Sequence, residues 1–261
     1  MFDFHMHSII SFDGEDTPQA LLQAAEQKGL KEICFTDHLD YDPLAQEPNL
    51  TFDTAAYHAA YDGLTSNTVK IRRGMEFGML PDNRAQFDAD LKRCPFDFVL
   101  GSIHFVDGLD VYYPSYWEGK TVFEGERRFL EHTLACVQAH DGFDVLAHLT
   151  YISKAWSNPT HRPVPFEEHR ELVEEILKEL VRKNKGLEVN TSGMDCCGQF
   201  LPGWEHVRRF KELGGEIVTV GSDAHNVKRV GQYCKEACEG LKEIFGYVCT
   251  FENRVPIFHI L

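Results

Sequence analysis

Seven short apolar runs alternate along this chain with amphipathic helical stretches, and that alternation constrains its fold more than any other feature. The runs are Phe2–His7, Glu32–His38, Lys70–Glu76, Phe98–His104, Val145–His148, Gly186–Asn190 and Glu216–Ser222. Between them the pattern predicts helices over Pro18–Lys28, Asp53–Thr65, Asn83–Arg93, Phe123–Ala139, Phe166–Lys183 and Glu205–Leu213, with a seventh over Val230–Ile244. Thr17 before Pro18 and Asp82 before Asn83 read as helix caps, and Gly29, Gly186 and Gly214-Gly215 as helix ends. Strands joined through helices pair in parallel with right-handed crossovers. Seven such units in 261 residues favour a closed α/β barrel over an open doubly wound sheet. No Gly-x-Gly-x-x-Gly follows the first run and no Gly-Lys-Ser/Thr loop occurs, which disfavours the common nucleotide-binding open sheets. Tyr247–Phe251 and Val255–Leu261 are expected as a final extended pair.

A hydrophobic fraction of 43% supplies one sizeable core, so a single domain over residues 1–261 is expected. No apolar run approaches the ~20 residues of a membrane span, and no signal peptide is evident, so a cytoplasmic protein is expected. Eight cysteines without a compact spacing pattern read as free thiols. The adjacent Cys196-Cys197 pair is unusual and reads equally as reactive, soft-metal-binding or incidental. The net charge of −15, with no basic stripe, argues against a nucleic-acid surface. An acidic chain binding an anionic substrate would need a local source of positive charge.

That source is suggested by where the polar residues fall. The runs end on His7, His38, Glu76, His104, His148, Asn190 and, just past the last, Asp223. In a parallel barrel these ends share one face, where chemistry is usually built. His5 and His7 are two apart, so in a strand both imidazoles face one point, and Asp223 and His225 repeat the spacing near the other end. Burying such groups unpartnered would cost about 1–3 kcal/mol each, whereas a shared metal cluster satisfies them together. Mixed imidazole and carboxylate donors suit Zn, Mn or Fe rather than Ca or Mg. Taken singly, His104 or His148 would pass for a core histidine; their common position at strand ends argues for ligands. His58, His132, His140, His169 and His206 lie in charge-rich helical stretches and are expected at the surface, while His161 and His259 stay unassigned.

The set His5-x-His7, Asp13, Thr36-Asp37-His38, Glu76, Ser102-Ile103-His104, Ala147-His148 and Ser222-Asp223-Ala224-His225 resembles the PHP (polymerase and histidinol phosphatase) superfamily, in order over the whole chain. Phe98–Gly108, Leu187–Gly193 and the ending Phe251–Phe258 resemble its histidinol-phosphatase branch. The resemblance implies a distorted, TIM-barrel-like (β/α)7 barrel with a trinuclear metal site at the C-terminal strand ends. It assigns His5, His7, Glu76 and Asp223 to one metal. Glu76 would bridge to a second, completed by His104 and His148. Asp13, His38 and His225 would hold a third.

Three divalent ions (Zn, Mn or Fe) would outweigh Asp13, Glu76 and Asp223 and leave a positive pit for a small anionic phosphate ester. The expected activity is therefore phosphomonoester hydrolysis, with L-histidinol phosphate of histidine biosynthesis as the first substrate and a metal-bridging hydroxide as nucleophile. Asp223 or His225 would assist the leaving alkoxide. Lys154 and Arg162, beyond the fifth run, are the candidate phosphate clamp. The aromatic stretch Tyr112–Trp117 would wall the pocket, with Asp110 and Glu118 near the substrate ammonium. The rival readings are cleavage of a phosphodiester or nucleotide, an amidohydrolase-type C–N hydrolase, and a non-enzymatic metal-binding module. The second commonly bridges its metals through a carboxylated strand-end Lys, a place taken here by Glu76.

Overall fold

A computed structural model describes residues 1–44, 50–155, 158 and 162–261; His161 lies outside them. The frame is built from β1 (Phe2–Met6), β2 (Glu32–Phe35), β3 (Lys70–Gly78), β4 (Phe98–Ser102), β5 (Val145–Leu146), β6 (Gly186–Asn190) and β7 (Val218–Gly221). They are hydrogen-bonded in that order, and every neighbouring pair is parallel. A short strand at His38–Leu39 adds to β3 beyond the end of β2. The backbones of the two edges meet near the top. There Met6 bridges Ala224, the His7 amide donates to the Ala224 carbonyl (2.8 Å), and the Asp223 amide donates to the His5 carbonyl (2.8 Å). The result is a nearly closed barrel of seven strands, as expected. β1, β2, β4, β6 and β7 are buried at every position, which is what parallel strands under a helical coat require.

The coat comprises α1 (Pro18–Gln27), α2 (Thr54–Tyr61), α3 (Arg84–Asp90), α4 (Pro114–Trp117), α5 (Val122–Ala139), α6 (Arg170–Arg182), α7 (Met194–Cys197), α8 (Trp204–Glu212) and α9 (Cys234–Ile244). Thr17 caps α1 as expected, accepting from the Ala20 amide at 3.3 Å. Thr121 and Glu124 form a reciprocal capping box on α5. Asp82 is not a cap. Asn83 takes that position, and its side chain turns back to the Leu80 amide (2.9 Å) and the Gly78 carbonyl (3.0 Å). Among the described residues no helix is long and apolar enough to cross a membrane.

The predicted final pair is an antiparallel hairpin of β8 (Tyr247–Glu252) and β9 (Val255–Ile260). It packs at the end of the barrel where strands begin. Phe251 lies 4.8 Å from Phe98, whose ring meets Phe4 at 5.6 Å, and Arg254 pairs with Asp144 just ahead of β5. The mouth is thereby left as the open end.

Four helical histidines expected at the surface are buried instead: His132, His140, His169 and His206. Each shares a buried stripe with apolar neighbours. His132 lies beside Phe129, Thr133 and Cys136 on α5, and His206 beside Val207 and Phe210 on α8. Charge elsewhere on these helices masked the stripe. His58 is partly exposed, against Arg73.

Candidate metal centre

β1 delivers His5 and His7 fully buried, with their Nε2 atoms 3.1 Å apart. β3 supplies Glu76 between them. Its Oε2 stands 3.2 Å from His5 Nε2, 3.4 Å from His7 Nε2 and 3.0 Å from His38 Nδ1. Its Oε1 lies 2.7 Å from His148 Nε2 and 3.5 Å from His104 Nε2, and accepts from the Ser102 hydroxyl at 2.6 Å. Asp223 Oδ1 is 3.3 Å from His7 Nε2 and 3.6 Å from His5 Nε2. Asp13 Oδ2 is 3.1 Å from His225 Nε2 and 3.6 Å from His38 Nε2. The nine side chains expected as ligands therefore form one connected group, at the foot of a cavity of about 870 Å³. Two of them sit on uncommon backbone: Asp223 at φ 55° and His148 at φ 22°. Such conformations in non-glycine residues collect at functional sites.

The donor chemistry fits cations. Ser11 gives its hydroxyl proton to Asp37 (2.9 Å) and so accepts from His7 Nδ1 (3.1 Å). Glu188 Oε1 accepts from His5 Nδ1 (2.7 Å). In the neutral rings both Nε2 lone pairs then point at each other, an arrangement a shared cation would reconcile. Glu76 Oε2 is buried, makes no aligned hydrogen bond and is ringed by imidazole nitrogens. Electrostatics agree. Burial works to lower the His5, His38 and His104 pKa values, yet surrounding carboxylates hold all three up, His104 at about 10. Glu188 leads for His5, Glu76 for His38 and Asp40 for His104. Burial alone would raise Glu76, but His5, His38 and His104 hold it well below the usual carboxylate range. Positive charge is favoured around Glu76, and bound cations would provide it while releasing those protons.

Donor atoms within 4.8 Å of one another group His5, His7 and Asp223; His5, Glu76 and His148; His7, His38 and His225; and His38, Asp40 and His104. Asp40 is a group the sequence reading missed. Its Oδ1 accepts from His104 Nδ1 at 2.9 Å and its Oδ2 lies 3.3 Å from His38 Nδ1. Glu188 is another, accepting from His5 Nδ1 and from the His148 amide (2.8 Å). Asp3 clamps the last strand through the Ser222 and Gly231 amides at 2.8 and 2.7 Å. Each stands two residues from a recognised position: Asp3 from His5 on β1, Glu188 from Asn190 on β6, and Asp40 from His38 just past the short His38–Leu39 strand. Strand parity would have found them.

The two cations proposed as phosphate contacts separate. Lys154 lines the cavity, where its ammonium pairs with Asp223 and donates to Ser192 Oγ at 3.1 Å. Burial works against its charge, but Asp223 holds its pKa above the usual lysine range. Arg162 does not line the cavity. Its guanidinium points to Glu126 (3.4 Å) and Glu168 (3.2 Å), carboxylates of the helical coat that outcompete the mouth for it. Arg229, unremarked in the sequence, does line the cavity, tethered to Asp195 at 2.8 Å. Of the aromatic stretch, Tyr112 and Tyr113 face the cavity, whereas Tyr116 and Trp117 are buried in the core. Asp110 lines the cavity and Glu118 does not.

Comparison with known proteins agrees with this geometry. The PHP domain family matches residues 3–192. A probable histidinol-phosphatase of Clostridium acetobutylicum is 31% identical over 264 residues, covering 98% of each chain. The histidinol-phosphatase of Lactococcus lactis is 32% identical over 235 residues, covering 87% of this chain and 85% of its own. The crystal structure of histidinol phosphate phosphatase from Lactococcus lactis, complexed with zinc, L-histidinol and phosphate, matches with a TM-score of 0.84 at 28% identity over 98% of both chains. On the match over most of its length and on these relatives, the chain belongs to the PHP domain family.

Proposed function

We propose that this chain is a metal-dependent phosphomonoesterase that hydrolyses L-histidinol phosphate to L-histidinol and phosphate. The observation that carries the reading is the convergence of His5, His7, Glu76 and Asp223, donor to donor, beneath a cavity sized for a small ester. The relative solved with zinc, L-histidinol and phosphate supports the same chemistry. Zn, Mn or Fe ions, three in number, would be held by His5, His7, Glu76 and Asp223; by Glu76, His104 and His148; and by Asp13, His38 and His225. When bound, such ions polarise phosphoryl oxygens and make water a competent nucleophile near neutral pH.

The protein's own groups do the rest. Asp40, Glu188 and Ser11 fix the imidazole orientations. Lys154, anchored by Asp223, places an ammonium where the phosphoryl group enters. Asp223 itself is a poor proton donor. Burial would raise its pKa, but Lys154 and His5 hold it well below the carboxylate range. His225 is the more open of the two candidates, with a side chain 23% exposed, but its Nδ1 is committed to the Asp223 carbonyl and its Nε2 to the cation site beside Asp13, so the proton for the leaving alkoxide is left to water in the mouth. Asp110, Tyr112 and Tyr113 line the outer cavity, where an imidazole and an ammonium would sit. Residues 1–261 act as one catalytic unit, and eight free thiols accord with a reducing cytoplasmic setting.

Phosphate release from L-histidinol phosphate by zinc- or manganese-loaded protein tests the reading, against a nucleoside monophosphate, a phosphodiester and an amide. Preference for the histidinol ester is expected. Turnover of the amide alone, or of nothing under either metal, would overturn it.

A further inference from the structure

One wall of the cavity carries two thiols that neither cation binding nor phosphate recognition uses. After Gly193, α7 sets Cys196 and Cys197 side by side. Cys196 is exposed and lines the cavity, and Cys197 is half-buried beside it. Both sulfurs stand close to one carbonyl, that of Gly193, at 3.5 and 3.2 Å, so they converge on one side of the short helix. Asp195, between Gly193 and the pair, is tied to Arg229 (2.8 Å), Tyr233 (3.0 Å) and Gln232 (3.1 Å), which fixes this wall in place. The other six cysteines are buried.

We propose that Cys196 is an oxidisable thiol of the substrate cavity, converted by hydroperoxides to a sulfenic acid that obstructs entry of the phosphate ester. The Cys196 sulfur attacks the terminal peroxide oxygen, an S–O bond forms and the O–O bond breaks. Sulfur is oxidised by two electrons. The departing oxygen takes the thiol proton and leaves as an alcohol, or as water when the oxidant is hydrogen peroxide. Reactivity follows thiolate character and access. Donation from the Cys197 thiol, helped by the Lys154 ammonium, brings Cys196 down to about 7, while burial pushes the six core thiols up. The product stops at the sulfenic acid. Adjacent Cα atoms lie ~3.8 Å apart, below the range that relaxed disulfides span. The added oxygen sits on the wall shared with Lys154 and Ser192, so the effect on turnover rests on the phosphatase reading, whereas the chemistry at sulfur does not.

Zinc-loaded protein is the test material, because zinc itself has no redox chemistry. It is treated with hydrogen peroxide in the presence of dimedone, and peptides are assigned by mass spectrometry. Cys196 should be labelled several-fold faster than any other cysteine, and inorganic phosphate should slow the labelling. Without dimedone, the same treatment should remove most of the phosphate-ester turnover, and dithiothreitol should restore it. Cys196→Ser and Cys196→Ala should each keep most of their own untreated rate under peroxide. Labelling spread over other cysteines, or equal fractional inactivation of both variants, overturns the proposal. Should the protein turn over no phosphate ester, the position and phosphate sensitivity of the adduct still decide it.

Discussion

Two populations of histidine divide this molecule. At the mouth, His5, His7, His104 and His225 each commit one ring nitrogen to an acceptor that fixes the ring and aim the other toward a neighbouring donor group. In the helical coat, His132, His140 and His169 each leave a ring nitrogen unpartnered, and His206 leaves both. These rings pack against aromatics: His206 on Phe166 at 5.1 Å, His169 on Phe123 at 4.9 Å and His140 on Phe87 at 5.4 Å. For His5, His38 and His104 burial matches that of the coat rings and the electrostatic outcome is opposite. Carboxylates hold His5, His38 and His104 up at the mouth, while burial pushes His132, His140 and His206 down in the coat. His7 and His148 join the lowered group, His7 because burial and its imidazole neighbours His38 and His225 act together and His148 because burial outweighs Glu76, as suits rings that offer a lone pair. The lesson is that an imidazole's surroundings, not its burial, decide whether it serves as a cation ligand or as a neutral packing body.

The sharpest way to break this contrast is His7→Ala. Turnover should fall to background and bound metal should be lost by elemental analysis, with the far-ultraviolet circular dichroism of the barrel unchanged. Full turnover in the variant would remove the mouth histidines from the chemistry. Glu188→Gln probes the same population one layer back, since it keeps the shape but weakens the acceptor on His5. Losing such an orienting partner should cost about 10–100-fold in metal affinity or activity. Zinc titration with a competing chelator would measure it, and unchanged affinity would mean that Glu188 only fills space.

The coat responds to acid instead. His206 is pushed down to about 4 by burial, against an ordinary value near ~6.5 in the unfolded chain. A lowered imidazole pKa means the unfolded chain binds the proton more readily. The stability from keeping the ring neutral is therefore complete above pH ~6.5 and drains away as pH falls toward about 4. Between pH 7 and 5 this one group should account for about 2 kcal/mol of lost stability. Urea unfolding of His206→Leu at both pH values should show a shallower loss than the parent chain, and an identical slope would show that His206 is not held neutral.

Much of this was legible from the sequence because strand ends announce themselves. Glu76 and His104 close apolar runs, and parallel connectivity brings such ends together, so the barrel and the strand-end donors were read from one pattern, whereas Asp13 and the division among three metals came only from the family resemblance. Glu188 and Asp40 were missed for a physical reason. In a strand buried on both faces, such as β6, or just past a strand end, as at Asp40, apolar alternation is lost, and an acidic residue among apolar ones gives no sign of its direction. Only counting by twos from a recognised ligand supplies it. The coat histidines were misread because the charge of α5 and α8 was averaged over the whole helix rather than around it. Arg162 was misplaced because a loop's path sets which carboxylate a long side chain reaches, and nothing in local composition encodes that.

Arg162→Ala therefore carries the smallest expected effect on activity and discriminates most finely between mouth and coat. Its guanidinium shares Glu126 Oε2 with His169, whose Nε2 lies 3.0 Å away, while Glu126 Oε1 is buried and unpartnered. Removing the arginine leaves Glu126 dependent on His169 alone. Because the arginine is partly solvated, about 1 kcal/mol of stability should go with it. KM for the phosphate ester and metal content should both be unchanged, since no part of this network reaches the cavity lining. A raised KM with normal metal content would return Arg162 to the phosphate and merge the two populations through the segment that follows β5.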